Sequence, residues 1–403
     1  SLVTEHPLVY PLLRRRFSDI DRFKTINDSF GQTVGDAFLL LVARKLKAIL
    51  PVGATLSRLG SDEFAVFLPS ATEQQAVELA EATNKVLATS NRIQGYDIAT
   101  DASIGIALSL QDYEVGDLLR DAESAMQAAK RQGKARHVVF DAQMQGQLAQ
   151  KVRLERDLRQ ALEREEIKVH YQPLMSLTSG TIIGAEALMR WQHGSLGTIS
   201  PGAFIPIAED TGMIVDLSYA LLKQALHDLH EFPSSFYLSV NLSVRQLQHP
   251  GLVEALSGFL QSSHTEPRRL VLEVTESSLM TNPDANIETL EQLSSLGFRL
   301  AMDDFGTGYA SLNYLKRLPV DILKIDRSFV KGLPDEDDAT LVTTILALGQ
   351  SLGLEIVAEG VETSAQEAFL KRYGCQQVQG FLYSKPVPFA EFITLLESSK
   401  SKI

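Results

Sequence analysis

Asp303-Asp304-Phe305-Gly306-Thr307-Gly308-Tyr309-Ala310-Ser311-Leu312 joins two adjacent carboxylates to a glycine-punctuated loop, and the fold can be read outward from it. Gly297 to Met302, ahead of the pair, has the length and composition of a strand; Val320 to Asp326 is another, with helix-forming residues between them. The acidic pair therefore stands at a strand exit. Successive strand side chains point to opposite faces, so neighbouring aspartates can serve one site only where strand gives way to loop, and the glycines supply the change of direction. Taken alone, Asp-Asp followed by glycine is a turn with solvated carboxylates. The other strands of this half decide against that reading.

From Val152 onward about 250 residues remain, the size of a (β/α)8 barrel. The strand candidates are Ile167 to Gln172, Ile182 to Leu188, Phe236 to Leu242, Leu270 to Thr275, Phe298 to Asp303, Ile322 to Asp326, Glu355 to Glu359 and Val378 to Leu382. Polar residues fall within or at the ends of these apolar runs: Glu186, Asn241, Glu273, Asp303, Lys324, Glu359 and Gln379. Barrel enzymes gather catalytic groups at the C-terminal ends of their strands. Carboxylates packed this closely repel one another, so cations must neutralise them or their pKa values must rise. Oxygen donors with one amide suit Mg²⁺ or Mn²⁺ rather than zinc.

Composition narrows the classes further. At 403 residues the chain is expected to hold two domains, 1–145 and 146–403. A net charge of -12 argues against a long nucleic acid as partner, though not against a small nucleotide held through metal ions. No apolar run approaches the roughly 20 residues needed to span a bilayer. The single cysteine, Cys375, excludes an internal disulfide and fits a reducing compartment, where it reads as a small buried hydrophobe. His227 and His230 read as helix surface. Because the chain opens on Ser1, we expect the cytoplasmic part of a longer sensory or membrane-bound protein.

The first half carries a second acidic constellation. Asp19, Asn27, Asp28, Gly31, Gly35 and Asp36 lead into a helix through Phe38, Leu39, Leu41, Val42 and Leu46. A hairpin follows, with strand Thr55 to Leu59, a turn at Gly60 and Ser61, then Asp62, Glu63, Phe64 and strand Ala65 to Leu68. Ala71 to Ala88 reads as a helix and Ala102 to Leu108 as a strand. The stripe Leu118, Leu119, Ala122, Ala125, Met126 and Ala129 is helical core. Met144 to Glu166 reads as one connecting helix.

Asp19 to Asp36, Arg58 to Phe64, Ser103 to Ile106 and Ala129-Lys130 resemble a GGDEF domain. The resemblance implies a palm-like α/β fold that condenses GTP into cyclic di-GMP with divalent metal. By position it makes Asp19 and Asp62 metal ligands, Asn27 and Asp36 guanine readers and Lys130 a phosphate contact, with Glu63 in the same GTP-binding set. Departures are Ser61 in place of a glycine, Gln32 in place of a histidine, no Arg-x-x-Asp pattern at Pro51 to Ala54, and no apolar first strand, since Arg14 to Ser18 is polar. This half is accordingly expected to be degenerate and to bind GTP as a regulatory ligand.

Leu154 to Phe389 resembles an EAL domain, through Glu186-Ala187-Leu188 with Arg190 and Trp191, Asn241-Leu242-Ser243, Glu273 to Glu276, Asp303 to Leu312, Lys324-Ile325-Asp326, Ala358 to Glu362 and Gln379-Gly380. That family hydrolyses cyclic di-GMP to linear pGpG in a TIM-like barrel whose first strand is antiparallel. The resemblance implies two ions, one held by Glu186, Asn241, Glu273 and Asp303, the other by Asp303, Asp304 and Glu359. Lys324 and Gln379 would serve the attacking water, Gln172, Arg190 and Asp326 the substrate, and Glu276 the loop after Asp304. A homodimer through this domain is also implied. Two other readings stay open: a bifunctional cyclase and phosphodiesterase, or a cyclic di-GMP receptor that does not cut.

Overall fold

The computed structural model of this protein describes residues 13–20, 23–60, 62–69, 71–93, 95–108, 115–280, 282–306 and 312–400. Its contacts separate two units, Ser1–Val152 and Arg153–Ile403. No helix among the described residues is long and apolar enough to cross a membrane.

In the first unit β1 (Leu13–Ile20) is followed by α1 (Phe23–Phe30), α2 (Gln32–Ile49), β2 (Thr55–Arg58), β3 (Glu63–Pro69) and α3 (Glu73–Leu87). A small separate hairpin, β4 (Asn91–Ile93) and β5 (Tyr96–Ile98), leads to β6 (Ala102–Leu108), α4 (Val115–Arg131) and β7 (His137–Val139). The sheet runs β2-β3-β1-β6-β7, antiparallel except for the last pair.

Two expectations are corrected here. The polar run Arg14 to Ser18 is the middle strand of the sheet, paired with β3 on one side and β6 on the other. Ladder hydrogen bonds on both edges override a weak strand propensity. The stretch between Asp19 and Asp36 also contains a helix of its own, α1, whose Phe23 and Ile26 are buried against Phe38 and Val42 of α2. Helix α4 lies on β6 so closely that a Cβ on Gly105 would come within 1.8 Å of the Ala122 carbonyl oxygen and 2.4 Å of the Met126 nitrogen.

Helix α5 (Ala142–Leu158) ends earlier than the sequence predicts, and Leu154, Leu158 and Ala161 are buried in the core of the second unit. Glu166, expected at the end of that helix, instead accepts hydrogen bonds from the Trp191 indole at 2.9 Å and the Gly194 nitrogen at 3.2 Å.

The second unit starts with β8 (Ile167–Ser176), β9 (Ile182–His193), β10 (Gly197–Ile199), α6 (Pro201–Thr211) and α7 (Ile214–Leu229). Then come β11 (Tyr237–Asn241), α8 (Val244–Leu247), α9 (Leu252–Ser263), β12 (Leu270–Thr275), α10 (Glu276–Leu279), α11 (Pro283–Ser295) and β13 (Arg299–Phe305). It closes with α12 (Leu312–Leu315), β14 (Ile322–Ile325), α13 (Arg327–Val330), α14 (Glu336–Leu352), β15 (Glu355–Ala358), α15 (Ser364–Arg372), β16 (Gln377–Val378), β17 (Val387–Pro388) and α16 (Phe389–Lys400). The staves β9, β11, β12, β13, β14, β15 and β16 follow one another in parallel, and β8 closes the barrel antiparallel to both β16 and β9.

The barrel interior explains where polar residues can stand. Leu174, Tyr237, Val271, Ala301, Ile322 and Val357 pack together as one buried layer. Side chains on a strand repeat every second residue, so two positions beyond Val271, Ala301, Ile322 and Val357 come Glu273, Asp303, Lys324 and Glu359. Strand β8 runs the other way, so its polar residue, Gln172, comes two positions before Leu174. Cys375 is buried under this sheet, and burial pushes its thiol up to about 12.

The contact of α4 with β6 gives a test of the first unit. Gly105→Ala forces a Cβ against backbone rather than a yielding side chain, and is expected to cost about 3 kcal/mol in a denaturant titration of the intact chain. An unchanged midpoint would show that the helix can simply lift.

Candidate functional site

Lys324 stands inside the barrel with 1% of its surface exposed. Its Nζ lies 2.6 Å from Glu359 Oε1, 2.7 Å from Glu273 Oε2 and 3.4 Å from Asp303 Oδ1. Beside it, Glu186 on β9 accepts from Asn241 Nδ2 at 2.7 Å and from Gln379 Nε2 at 2.6 Å. Gln379 Nε2 also reaches Gln172 Oε1 at 3.1 Å, while its own Oε1 is buried with no hydrogen-bond partner among the described residues.

Local backbone geometry sets these positions. The register of β13 against β14 shifts between Met302 and Phe305, and Asp304 has φ 55. The strand therefore does not end at Asp303. A bulge with one aspartate in the left-handed region turns the neighbouring carboxylates out of strict alternation. Gly306 follows with φ 96, and its nitrogen donates to Glu276 Oε2 at 3.1 Å. Residues 307–311 of the loop that Glu276 was expected to anchor lie outside the described residues. Strand β16 stops at Val378, earlier than expected, and Gly380 passes so close to Val361 that a Cβ there would be 2.0 Å from its carbonyl oxygen. Gln379 is thereby fixed just past the strand end, its nitrogen donating to the Ala358 oxygen at 2.9 Å.

The electrostatics follow from this crowding. Burial alone would raise the Glu186 carboxyl, but the charge of Lys324 and the hydrogen bonds from Gln379 and Asn241 hold it below its ordinary value. Burial raises Glu273 well above the carboxylate range despite Lys324, helped by repulsion from Glu186, Asp303 and Glu359. Glu359 is pushed up to about 8 for the same reasons, and Asp304 is raised by burial and by Asp303. Burial opposes the Lys324 charge, yet the surrounding carboxylates outweigh it and raise its pKa.

One ammonium thus does not balance the acids around it. Among the described residues no three acidic, histidine or cysteine side chains converge as a ready metal cage. Lys324 lies among the carboxylates, and the Asn241 amide nitrogen, not its oxygen, faces Glu186. The donor chemistry nevertheless fits a hard divalent cation: carboxylate oxygens in excess of the one ammonium, Glu273 and Glu359 raised by burial and by repulsion from their neighbours, and a Gln379 amide oxygen with no partner among the described residues.

Of the other expected site residues, Asp326 caps α13, its Oδ1 accepting from the Ser328 nitrogen at 3.0 Å. Arg190 is half-buried and its Nη1 donates to the Met189 oxygen at 2.8 Å. It lines an apolar cavity of about 340 Å³ with Leu188, Ile205, Leu221, Asn241 and Glu209. A second cavity of about 240 Å³ reaches Gln172, Glu186, Glu359 and Gln379, and brings in Arg327 and Phe381. Sequence reasoning did not single out Glu209, Arg327 or Phe381. For Arg327 a signal existed, since it follows Asp326 directly at the end of β14.

In the first unit the register sets Asp19 opposite Glu63 on β3 and Ser103 on β6. Asn27 on α1 abuts Gly35 of α2, where a Cβ would meet its Oδ1 at 1.8 Å, and that Oδ1 is buried without a partner among the described residues. Asp36 follows on α2, exposed; Asp62 stands just before β3, and Lys130 is in the last turn of α4. Ser61 lies outside the described residues.

The "Diguanylate cyclase, GGDEF domain" family model matches residues 16–136 and the "EAL domain" model residues 155–386. "Bifunctional diguanylate cyclase/cyclic di-GMP phosphodiesterase MucR" of Pseudomonas aeruginosa is 43% identical over 94% of this chain and 56% of its own length. "Cyclic di-GMP phosphodiesterase NbdA" of the same organism is 37% identical over 93% of this chain and 48% of its own. The solved structure "PaMucR Phosphodiesterase, c-di-GMP complex" matches at 48% identity with a TM-score of 0.58, covering 60% of this chain and 99% of that one. The chain spans about half the length of the curated relatives it matches.

The buried charge cluster has a testable energetic signature. Lys324→Met leaves Glu273 and Glu359 without their cation and is expected to cost about 3–5 kcal/mol in denaturant titrations done in chelator. Mg²⁺ should return part of that loss, while an unchanged midpoint in chelator would show that the carboxylates had already taken up protons.

Proposed function

The chain belongs to the EAL domain family, with a GGDEF domain in its first half, and we propose that its barrel hydrolyses cyclic di-GMP to linear pGpG. The observation that carries this reading is the set of acids at successive strand ends, more negative than Lys324 can balance, beside an apolar cavity of a size to receive a base. Two relatives are named as phosphodiesterases of this nucleotide.

Divalent ions such as Mg²⁺ or Mn²⁺, held by Glu186, Asn241, Glu273, Asp303, Asp304 and Glu359, would supply an acidified water and charge stabilisation at the phosphoryl oxygens. The chain's own groups do the rest. Lys324 offsets charge that develops on the phosphate as water adds to phosphorus and the bond to O3′ breaks. Gln379 Oε1, without a partner among the described residues, would accept a hydrogen bond from the attacking water, while its Nε2 holds Glu186 and Gln172 in place. Arg190 and the cavity around it hold one nucleotide end, and Asp326 steadies the start of α13 at the rim. Glu276 keeps Gly306, and with it the Asp303-Asp304 bulge, in position.

With Mg²⁺ the chain should convert cyclic di-GMP to pGpG by chromatography, and Glu186→Gln or excess chelator should lower turnover about 100- to 1,000-fold. Tight binding without hydrolysis would favour a receptor instead.

For the first unit we propose GTP binding that tunes the barrel. The support is the buried, unpartnered Oδ1 of Asn27 beside α2 and the placement of Asp19 next to Glu63. Asp62 and Lys130 complete the nucleotide set, while the sequence has Ser61 where the GGDEF pattern has a glycine. GTP is expected to change KM or kcat for cyclic di-GMP about fivefold in the wild type and not in Asp36→Ala. Unchanged kinetics would remove the regulatory reading, and rapid conversion of GTP to cyclic di-GMP would restore a bifunctional enzyme.

A further inference from the structure

We propose that Arg327 reads the edge of a guanine base at the rim of the barrel, as a specificity-determining residue; the inference rests on the reading of the barrel as a cyclic di-GMP phosphodiesterase. Arg327 opens α13, three residues after Lys324, and lines the cavity that also reaches Gln172, Glu186, Glu359 and Gln379. Its guanidinium makes no hydrogen bond or salt bridge with any described residue. Acids are at hand, since Glu359 and Glu362 line the same cavity, but Glu359 is committed to Lys324 at 2.6 Å. An arginine fork left open beside carboxylates is available to a ligand.

The path of Arg327 is built rather than incidental. Gly360, directly after Glu359, has φ 70, and a Cβ there would stand 2.4 Å from the Arg327 Cβ and 3.2 Å from its Cα. Only a residue without a side chain lets the arginine pass. From the other direction Asp326 fixes the first turn of α13 by accepting from the Ser328 nitrogen.

Phe381 indicates which ligand group the fork meets. It lines the same cavity and remains 51% exposed, with Lys385 Nζ 5.6 Å from its ring centroid. A half-exposed aromatic ring beside an open guanidinium fits a purine, which offers a flat face to the ring and acceptors to the fork. Guanine presents O6 and N7 together, matched by two parallel N–H donors, whereas adenine places an amino group where O6 would be. The carboxylates deeper in the cavity favour the cation-bound phosphate there and the base at the rim.

The test uses the whole chain with Arg327→Ala and Arg327→Gln, reading KM and kcat for cyclic di-GMP and the inhibition constant of cyclic di-AMP. Both variants should raise KM for cyclic di-GMP about 10- to 100-fold, with kcat within about threefold and the cyclic di-AMP constant unchanged. Arg327→Lys should recover little, since an ammonium lacks the fork. KM within about twofold of wild type overturns the proposal, as does an equal weakening for both nucleotides, which marks a phosphate contact, or a loss confined to kcat. Wild type that neither binds nor cleaves cyclic di-GMP overturns the functional reading with it, whereas normal wild-type turnover beside an unaffected Arg327→Ala removes this inference alone.

Discussion

An ammonium group held away from water is tolerable only among negative charges, and Lys324 imposes that condition on the whole barrel. Its partners come from β12, from β13 and from the residue after β15, so these three strands and its own β14, four in a row, must hold their register against one another. The requirement is mutual. Without Lys324 the same carboxylates would have to take up protons, and without them the lysine would lose its charge. The apolar layer of Leu174, Tyr237, Val271, Ala301, Ile322 and Val357 makes the register strict, because a slip of one residue would put polar groups into that layer and apolar ones into the site.

Much of this was legible in the sequence because the barrel strands are short, apolar and interrupted by a charge at a fixed point. Leu270 to Thr275 was read to the residue, and the polar positions on the other staves fell where the strands deliver them. What escaped reading has a common cause. The strand Leu13–Ile20 is polar and owes its place to ladders on both sides, which no local pattern reports. The left-handed Asp304 goes with a register shift visible only in the pairing of β13 with β14. Tertiary partners settle such features, and a single chain of letters does not list them.

The two units assemble acids by different rules. In the first, antiparallel register brings Asp19 from one strand beside Glu63 of another, close to a hairpin turn. In the second, parallel strands end at one rim, and each contributes its own residue from its own end.

The reversed strand β8 has a consequence for how the barrel is made. It enters as the first stave and waits beside a gap that only β16, near the end of the chain, can fill. The pair Gln172 and Gln379, 207 residues apart in sequence, join across that seam at the site itself. A ribosome that has released every strand up to β15 has therefore delivered the charged residues without the stave that completes their wall. The wall around the acids is thus closed by residues from the two ends of the unit, and it is complete only when both are in place.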